Sequence, residues 1–158
     1  MWPLPNVWLG VSVETQHTAK ERVPLLLKTP AAKRVISAEP LLGYVDLTHW
    51  LFKCEACGAA PGWSLWEEPG FYYGIPYLRH EHDGRLYDCS VPTRMIDWVI
   101  VGCESGPGSR MVTEMNIEAL RRQCELARIP FFLKQMRQGN RMVKMPVYLG
   151  KVWDQVPA

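Results

Sequence analysis

The sequence predicts an α/β protein built of parallel strand–helix units and interrupted by a cysteine- and histidine-bearing insertion. Three observations carry that expectation. Apolar runs of β-branched and aromatic residues lack the polar alternation of a half-exposed strand, as in parallel strands covered on both faces. A stretch with helical spacing separates the last two of these runs. Between Trp50 and Met95 the rhythm breaks into a segment rich in Gly, Pro, Trp and Tyr.

Taken in order, the first strand is predicted over Val7–Glu14 and the second over Arg34–Pro40. The third is predicted over Trp98–Ser105 and the fourth over Pro130–Gln135. Between the last two, Asn116 is the expected cap of a helix whose apolar residues Ile117, Leu120, Cys124 and Ala127 recur every three or four positions, with Arg121, Arg122 and Glu125 on other faces. A weaker helix is expected over Thr18–Lys28, where Pro24 should kink it or start a second one. Strands alternating with helices imply β-α-β units with right-handed crossovers. Residues 1–50 and 95–138 then form the parallel core, 51–94 an insertion, and 139–158 a hairpin or tail marked by the turn signals Gly139-Asn140 and Leu149-Gly150.

Composition bounds the rest. A chain of 158 residues suits one domain, and 47% hydrophobic with 22% charged residues is ordinary globular usage. A net charge of +2 does not by itself call for a nucleic-acid partner. There is no apolar run of membrane-spanning length and no secretory signal pattern at Met1–Pro5, and five irregularly spaced cysteines suit a reducing compartment. The expected location is cytoplasmic, with no membrane partner.

Cys54-Glu55-Ala56-Cys57-Gly58 is a C-x-x-C knuckle, and two thiolates at that spacing can bind one ion from a single tight turn. Tetrahedral zinc needs two further ligands, for which Cys89 with His80 or His82 are the candidates. A bound metal would also staple a segment too long to remain structureless in a compact domain. The plainer alternative makes Cys54 and Cys57 surface thiols and the histidines a solvated turn; a redox dithiol is the third reading.

Glu14, Glu39 and Glu104 all fall at the C-terminal ends of predicted strands, as do Lys134 and Gln135. Ligands bind at that edge of parallel sheets and barrels, so these residues and Ser105 form a predicted polar pocket. The turn Gly102–Ser109 is glycine-rich, with amides able to meet an anion. The alternative is that strands simply end in charges where they reach water.

The same segments carry a resemblance. Pro5–Glu14, Ser37–Gly43, Asp97–Gly108 and Pro130–Gln135, with the closing Val152-Trp153-Asp154, resemble a phage- and prophage-associated family of uncharacterised proteins. That family is similar to radical S-adenosylmethionine enzymes and more distantly to spore photoproduct lyase. The resemblance implies a partial β/α barrel, with Glu14 a candidate for a ribose hydroxyl and the other strand-end residues lining the pocket. It also exposes a departure. Family members carry an upstream three-cysteine motif for an iron–sulfur cluster, and this chain has no C-x-x-x-C-x-x-C triplet, so no cluster and no radical chemistry are expected of it alone. Cys103 stands where the family commonly has glycine.

A half-barrel leaves apolar faces and strand edges without partners. Self-association or docking of a separately encoded N-terminal half is therefore expected. Two other readings compete with an enzyme-derived domain. One is a zinc-stabilised binding or assembly protein using Trp63, Trp66, Phe71, Tyr72, Tyr73 and Tyr77 as contact surface. The other is nucleic-acid binding through Arg121, Arg122, Arg128, Lys134, Arg137, Arg141 and Lys144.

Overall fold

The computed structural model describes residues 1–53 and 93–158 in full, with the backbone alone of four short strands between them. In chain order the elements are β1 (Trp8–Ser12), α1 (Gln16–Lys28), β2 (Lys33–Ala38), α2 (Thr48–Leu51), β3 (Phe52–Lys53), β4 (Phe71–Tyr72), β5 (Ile75–Pro76), β6 (Leu78–His82) and β7 (Arg85–Cys89). They continue with β8 (Thr93–Arg94), β9 (Trp98–Gly102), α3 (Glu114–Leu126), β10 (Phe131–Gln138), β11 (Arg141–Lys144), β12 (Val147–Tyr148) and β13 (Lys151–Val152).

The core is a mixed α/β arrangement around a five-stranded sheet in the order β1-β2-β9-β10-β11. The first four strands are parallel and β11 returns antiparallel to β10. Spatial order follows chain order, and the sheet is open. Pairing aligns Val11 with Ile36 and Val99, then Val99 with Phe131, and it aligns Ala38 with Val101 and Leu133. Except for the half-buried Val11, these residues are at most 1% exposed. They share one hydrophobic cluster with Ala19, Val23 and Leu26 of α1 and Ile117, Leu120 and Cys124 of α3. The alternate positions meet water: Trp8 is 44% exposed, and Val35, Ser37, Ile100 and Phe132 are only half-buried. The expectation of strands covered on both faces is thus corrected. Apolar residues continue onto the second face, but the described elements pack only the first.

Both long helices start on threonine. Thr15 and Thr18 form a reciprocal capping box, each hydroxyl accepting from the other's backbone N–H. Helix α1 therefore begins earlier than predicted and runs on through Pro24, with Val23 and Leu26 buried on either side of the proline. In α3 the cap is Thr113, whose hydroxyl accepts from Asn116 N–H at 3.3 Å. Asn116 sits one turn inside the helix, which corrects its predicted capping role: Thr113 has the extended backbone (φ −81°, ψ 145°) that a cap requires.

No long helix covers the sheet between β2 and β9 among the described residues. Residues 41–52 do so instead, burying Leu41, Val45, Leu47, Leu51 and Phe52. Their backbone is held by two glutamines acting as surrogate peptides. Gln16 accepts from Asp46 N–H (2.6 Å) and donates to Asp46 C=O (3.1 Å). Gln123, 3% exposed, accepts from Leu47 N–H (2.7 Å) and donates to Val45 C=O (3.0 Å). The insertion leaves this layer through β3 and returns through β8, which pair antiparallel side by side. Within it, β4 pairs with β5 and β6 with β7, both antiparallel.

The outer edge of β10 is covered twice. Its C-terminal half carries β11 across a two-residue Gly139-Asn140 turn with Gly139 at φ 59°. Its N-terminal half meets the chain's last segment, where Phe132 bridges Asp154 and Leu133 N–H donates to Trp153 C=O. The β12–β13 hairpin turns on Leu149-Gly150, both at positive φ. At the opposite side of the sheet, Val13 N–H reaches Ser37 C=O while Ser12 C=O takes Arg22. Odd-numbered β1 residues therefore address β2, and the backbone groups of Trp8 and Gly10 face outward. Among the described residues no helix is long and apolar enough to cross a membrane.

Replacing Gln123 by Leu keeps the volume but orphans a buried N–H and a buried C=O. Denaturant unfolding is expected to show a loss of about 2–4 kcal/mol; a loss under about 0.5 kcal/mol, typical of a surface site, would contradict the clamp.

Candidate functional site

The site lies at the C-terminal rim of the sheet's open face. Ser37 of β2 and Glu39, the residue just past its end, alternate toward that face, and Ser37 Oγ lies 3.2 Å from Glu39 Oε2. From β10, Lys134 Nζ comes within 3.3 Å of Glu39 Oε1 and 3.4 Å of Oε2. Gly102 at the end of β9 makes the arrangement possible. A Cβ there would sit 2.5 Å from Glu39 Oε1, so only glycine leaves room for the carboxylate to lie across the neighbouring strand. A bulge between Leu133 and Gln135 re-aims Lys134 as the β9–β10 register shifts. Together a carboxylate, a hydroxyl and an ammonium face an otherwise apolar sheet surface. They can accept from ligand hydroxyls or amines and pair with a ligand carboxylate.

The other predicted pocket residues go elsewhere. Glu14 is held by Arg22 of α1 at 3.0 Å, beside the outward edge of β1. Glu104 binds Arg110, accepting from its guanidinium at 2.7 and 3.0 Å and from its backbone N–H at 2.8 Å. Ser105 is exposed. Gln135 donates its amide to Cys103 C=O at 2.7 Å, tying β10 to β9. Of the three carboxylates expected to converge on one lysine, Glu39 alone does so. The other two found arginines nearer in sequence, eight and six residues further on. The glycine-rich turn is likewise closed by its own carboxylate, with Gly106 and Gly108 at φ 109° and 72°.

Of the proposed metal ligands, Cys54 and Cys57 lie outside the described residues, as do Trp63, Trp66, Tyr73 and Tyr77. His80, His82 and Cys89 are described in backbone only: β6–β7 pairing sets Cys89 opposite Leu78, His80 opposite Tyr87 and His82 opposite Arg85. Among the described residues no group of three or more His, Cys, Asp and Glu is placed to hold a metal. Cys103 and Cys124 are buried free thiols, and burial raises both pKa values, so neither is a ready nucleophile.

Most of the basic residues considered for nucleic acid are engaged. Arg121 binds Glu118 and Glu125, Arg122 binds Glu118, Lys134 binds Glu39, and Arg137 donates to Ser109. Arg121 is also only 8% exposed, because Trp153 from the last segment packs against it with the guanidinium 4.8 Å from the ring centre. Helical spacing alone put Arg121 on a solvated face. Its burial depends on a tryptophan 32 positions downstream, which no local pattern reveals.

The hydrogen bonds from Arg110, side chain first and backbone second, hold the Glu104 carboxyl down at about 2 against an ordinary 4.5. A lowered carboxylate favours the paired loop at higher pH, so that contribution is complete above about 4.5 and fades as pH falls through about 2. Carboxyl-carbon NMR should find Glu104 flat from pH 7 to about 3.5 and moving only below; a midpoint near 4.5 would mean the pair is not formed.

Residues 1–157 match a family model whose description reads Protein of unknown function (DUF5131). No curated protein and no solved structure matches the chain. With nearly its whole length aligned, strands, rim and closing tryptophan included, the chain belongs to the DUF5131 family.

Proposed function

We propose that this chain is the C-terminal portion of a radical-S-adenosylmethionine-like β/α barrel of phage type, which binds and positions ligand and is not catalytic alone. One observation carries the reading: four parallel strands in chain order, packed on one face and left open on the other by the described residues, with Ser37, Glu39 and Lys134 at the C-terminal rim of that second face. Parallel strands in unbroken sequential order, with crossovers on one side, are the arc from which β/α barrels are built.

The rim chemistry suits S-adenosylmethionine. Glu39 can accept from ribose hydroxyls or the amino group, and Lys134 can pair with the carboxylate, the part that the resemblance implied for Glu14 passing to Glu39. That molecule supplies radical chemistry only beside an iron–sulfur cluster, for which this chain has no three-cysteine motif. The cluster would come from a separately encoded N-terminal half docked on the β1 edge and the open face. The sheet favours that occupant over a second copy. A barrel closed by two copies would need each β10 edge to meet the other's β1, and β11 with residues 153–155 already fills the β10 edge.

Two measurements test this. In calorimetry, S-adenosylmethionine should bind the chain, more tightly with a cysteine-bearing upstream polypeptide, and Glu39→Gln should weaken binding about tenfold. Absence of binding both alone and with the partner would refute the ligand assignment. By light scattering after size exclusion, the two polypeptides should form a 1:1 complex that Trp8→Glu abolishes. A self-dimer indifferent to Trp8→Glu would point to a second copy on another surface and refute the docking assignment.

A further inference from the structure

At the end of β10 opposite the Glu39 rim, the last turn of α3 and the closing segment enclose a cleft of about 420 Å³. That volume lies within the range of small-molecule sites, roughly 300–1,000 Å³. Its floor is apolar, with Ile129 and Phe131 buried beneath it. Its rim is dominated by donors. Lys151 Nζ stands 3.8 Å from the centre of the Trp153 ring, on whose surface Arg121 also rests. Arg121 is fixed by Glu118 at 2.7 and 2.9 Å and by Glu125 at 2.9 Å, leaving two of its five N–H groups unassigned. Gln155 accepts from Phe131 N–H through Oε1, so its amide nitrogen remains available. Glu125, the one acid on the lining, is already neutralised by Arg121.

Arg128 completes the set, and its backbone is the second observation. It follows the C-cap of α3 at φ 54°, in a closure where Ile129 N–H bonds Cys124 C=O and Arg128 N–H bonds Glu125 C=O. Helices commonly place glycine at that left-handed position, and any other residue there is disfavoured. Arg128 is an exposed arginine at that position, without an ion pair among the described residues, so its guanidinium can turn to a ligand. Met145 and Leu149 share the left-handed backbone, and of the three Arg128 alone lines the cleft.

We propose that this cleft binds a small organic phosphate, its phosphate held by Arg128 and Lys151 and its apolar body on the floor beside Trp153. Two cations without acidic partners among the described residues, extra N–H donors and an apolar base call for an anion joined to a hydrophobic group. The site is independent of the Glu39 rim.

The probe is phenyl phosphate, with inorganic phosphate and a mixed single-stranded oligonucleotide alongside, read by NMR of the Trp153 indole. Phenyl phosphate should bind with Kd of about 1 mM or tighter and more strongly than inorganic phosphate. Arg128→Ala and Lys151→Ala should each weaken it about fivefold to tenfold, while Lys20→Ala on distant α1 leaves it unchanged. Arg128→Gly should weaken binding like the alanine variant yet raise Tm by about 3 °C, since glycine relieves the backbone. The proposal is overturned by no saturation at about 10 mM, by unchanged affinity in the Arg128–Lys151 double variant, or by an oligonucleotide moving Trp153 where phenyl phosphate does not.

Discussion

A parallel sheet wound in one direction can cover only one of its faces with its own crossovers. Right-handed β-α-β connections between strands that are neighbours in sequence all pass on the same side. In this chain β1, β2, β9 and β10 follow that order without reversal, so α1, residues 41–52 and α3 share one layer. The contrast between Ile36, Val99 and Phe131 in the core and Val35, Ile100 and Phe132 at the surface follows from that winding rather than from composition. Trp8, Trp98 and Phe132 meet edge to face at 5.9 and 5.7 Å across the open side. Such contacts recover part of the cost of leaving aromatic surface in water.

The packed layer is completed by hydrogen bonding where helix is lacking. A loop buried against a sheet carries peptide groups that water cannot reach. Gln16 and Gln123 each present an amide whose donor and acceptor match one peptide edge, so residues 45–47 can lie between α1 and α3. With that loop fixed, Leu51 C=O is in place to accept from Met95 N–H, and the insertion departs and rejoins at adjacent points. A long excursion of this kind costs little closure entropy and leaves the β2–β9 pairing undisturbed.

The strands were legible because their β-branched runs are apolar almost without break, as at Val35-Ile36 and Val99-Ile100-Val101, whichever face each residue takes. Glycine-paired turns at Gly139 and Leu149-Gly150 were legible for the same local reason. Pocket residues were legible only in type. A glutamate ending a strand shows in the sequence, but whether it turns over the sheet or toward a nearby arginine depends on neighbours. Gly102 admits Glu39, whereas Arg22 and Arg110 draw Glu14 and Glu104 away. The single-sided core was not legible, since the residues of the open face are as apolar as those beneath the helices. Gln123 and Arg121 look like solvated helix positions until loop 45–47 and Trp153 arrive from distant parts of the chain.

The two ends of the sheet treat their cations in opposite ways, and the difference bears on what each can bind. Lys134 is about half exposed and makes one ion pair, an arrangement that typically contributes no more than about 1 kcal/mol. Its four-carbon stem can leave Glu39 for a ligand anion at little cost, and Glu39 is then freed to accept hydrogen bonds of its own. Arg121 at the other end has two carboxylates and an indole around a buried guanidinium, so removing it would open a gap beside Trp153 and leave Glu118 with Arg122 alone. It serves as a fixed wall, whereas Lys151 and Arg128 beside it are exposed and hold no ion pair among the described residues. A rim that opens by exchanging one weak pair and a cleft whose frame is rigid can therefore operate on one sheet without either disturbing the packing that both depend on.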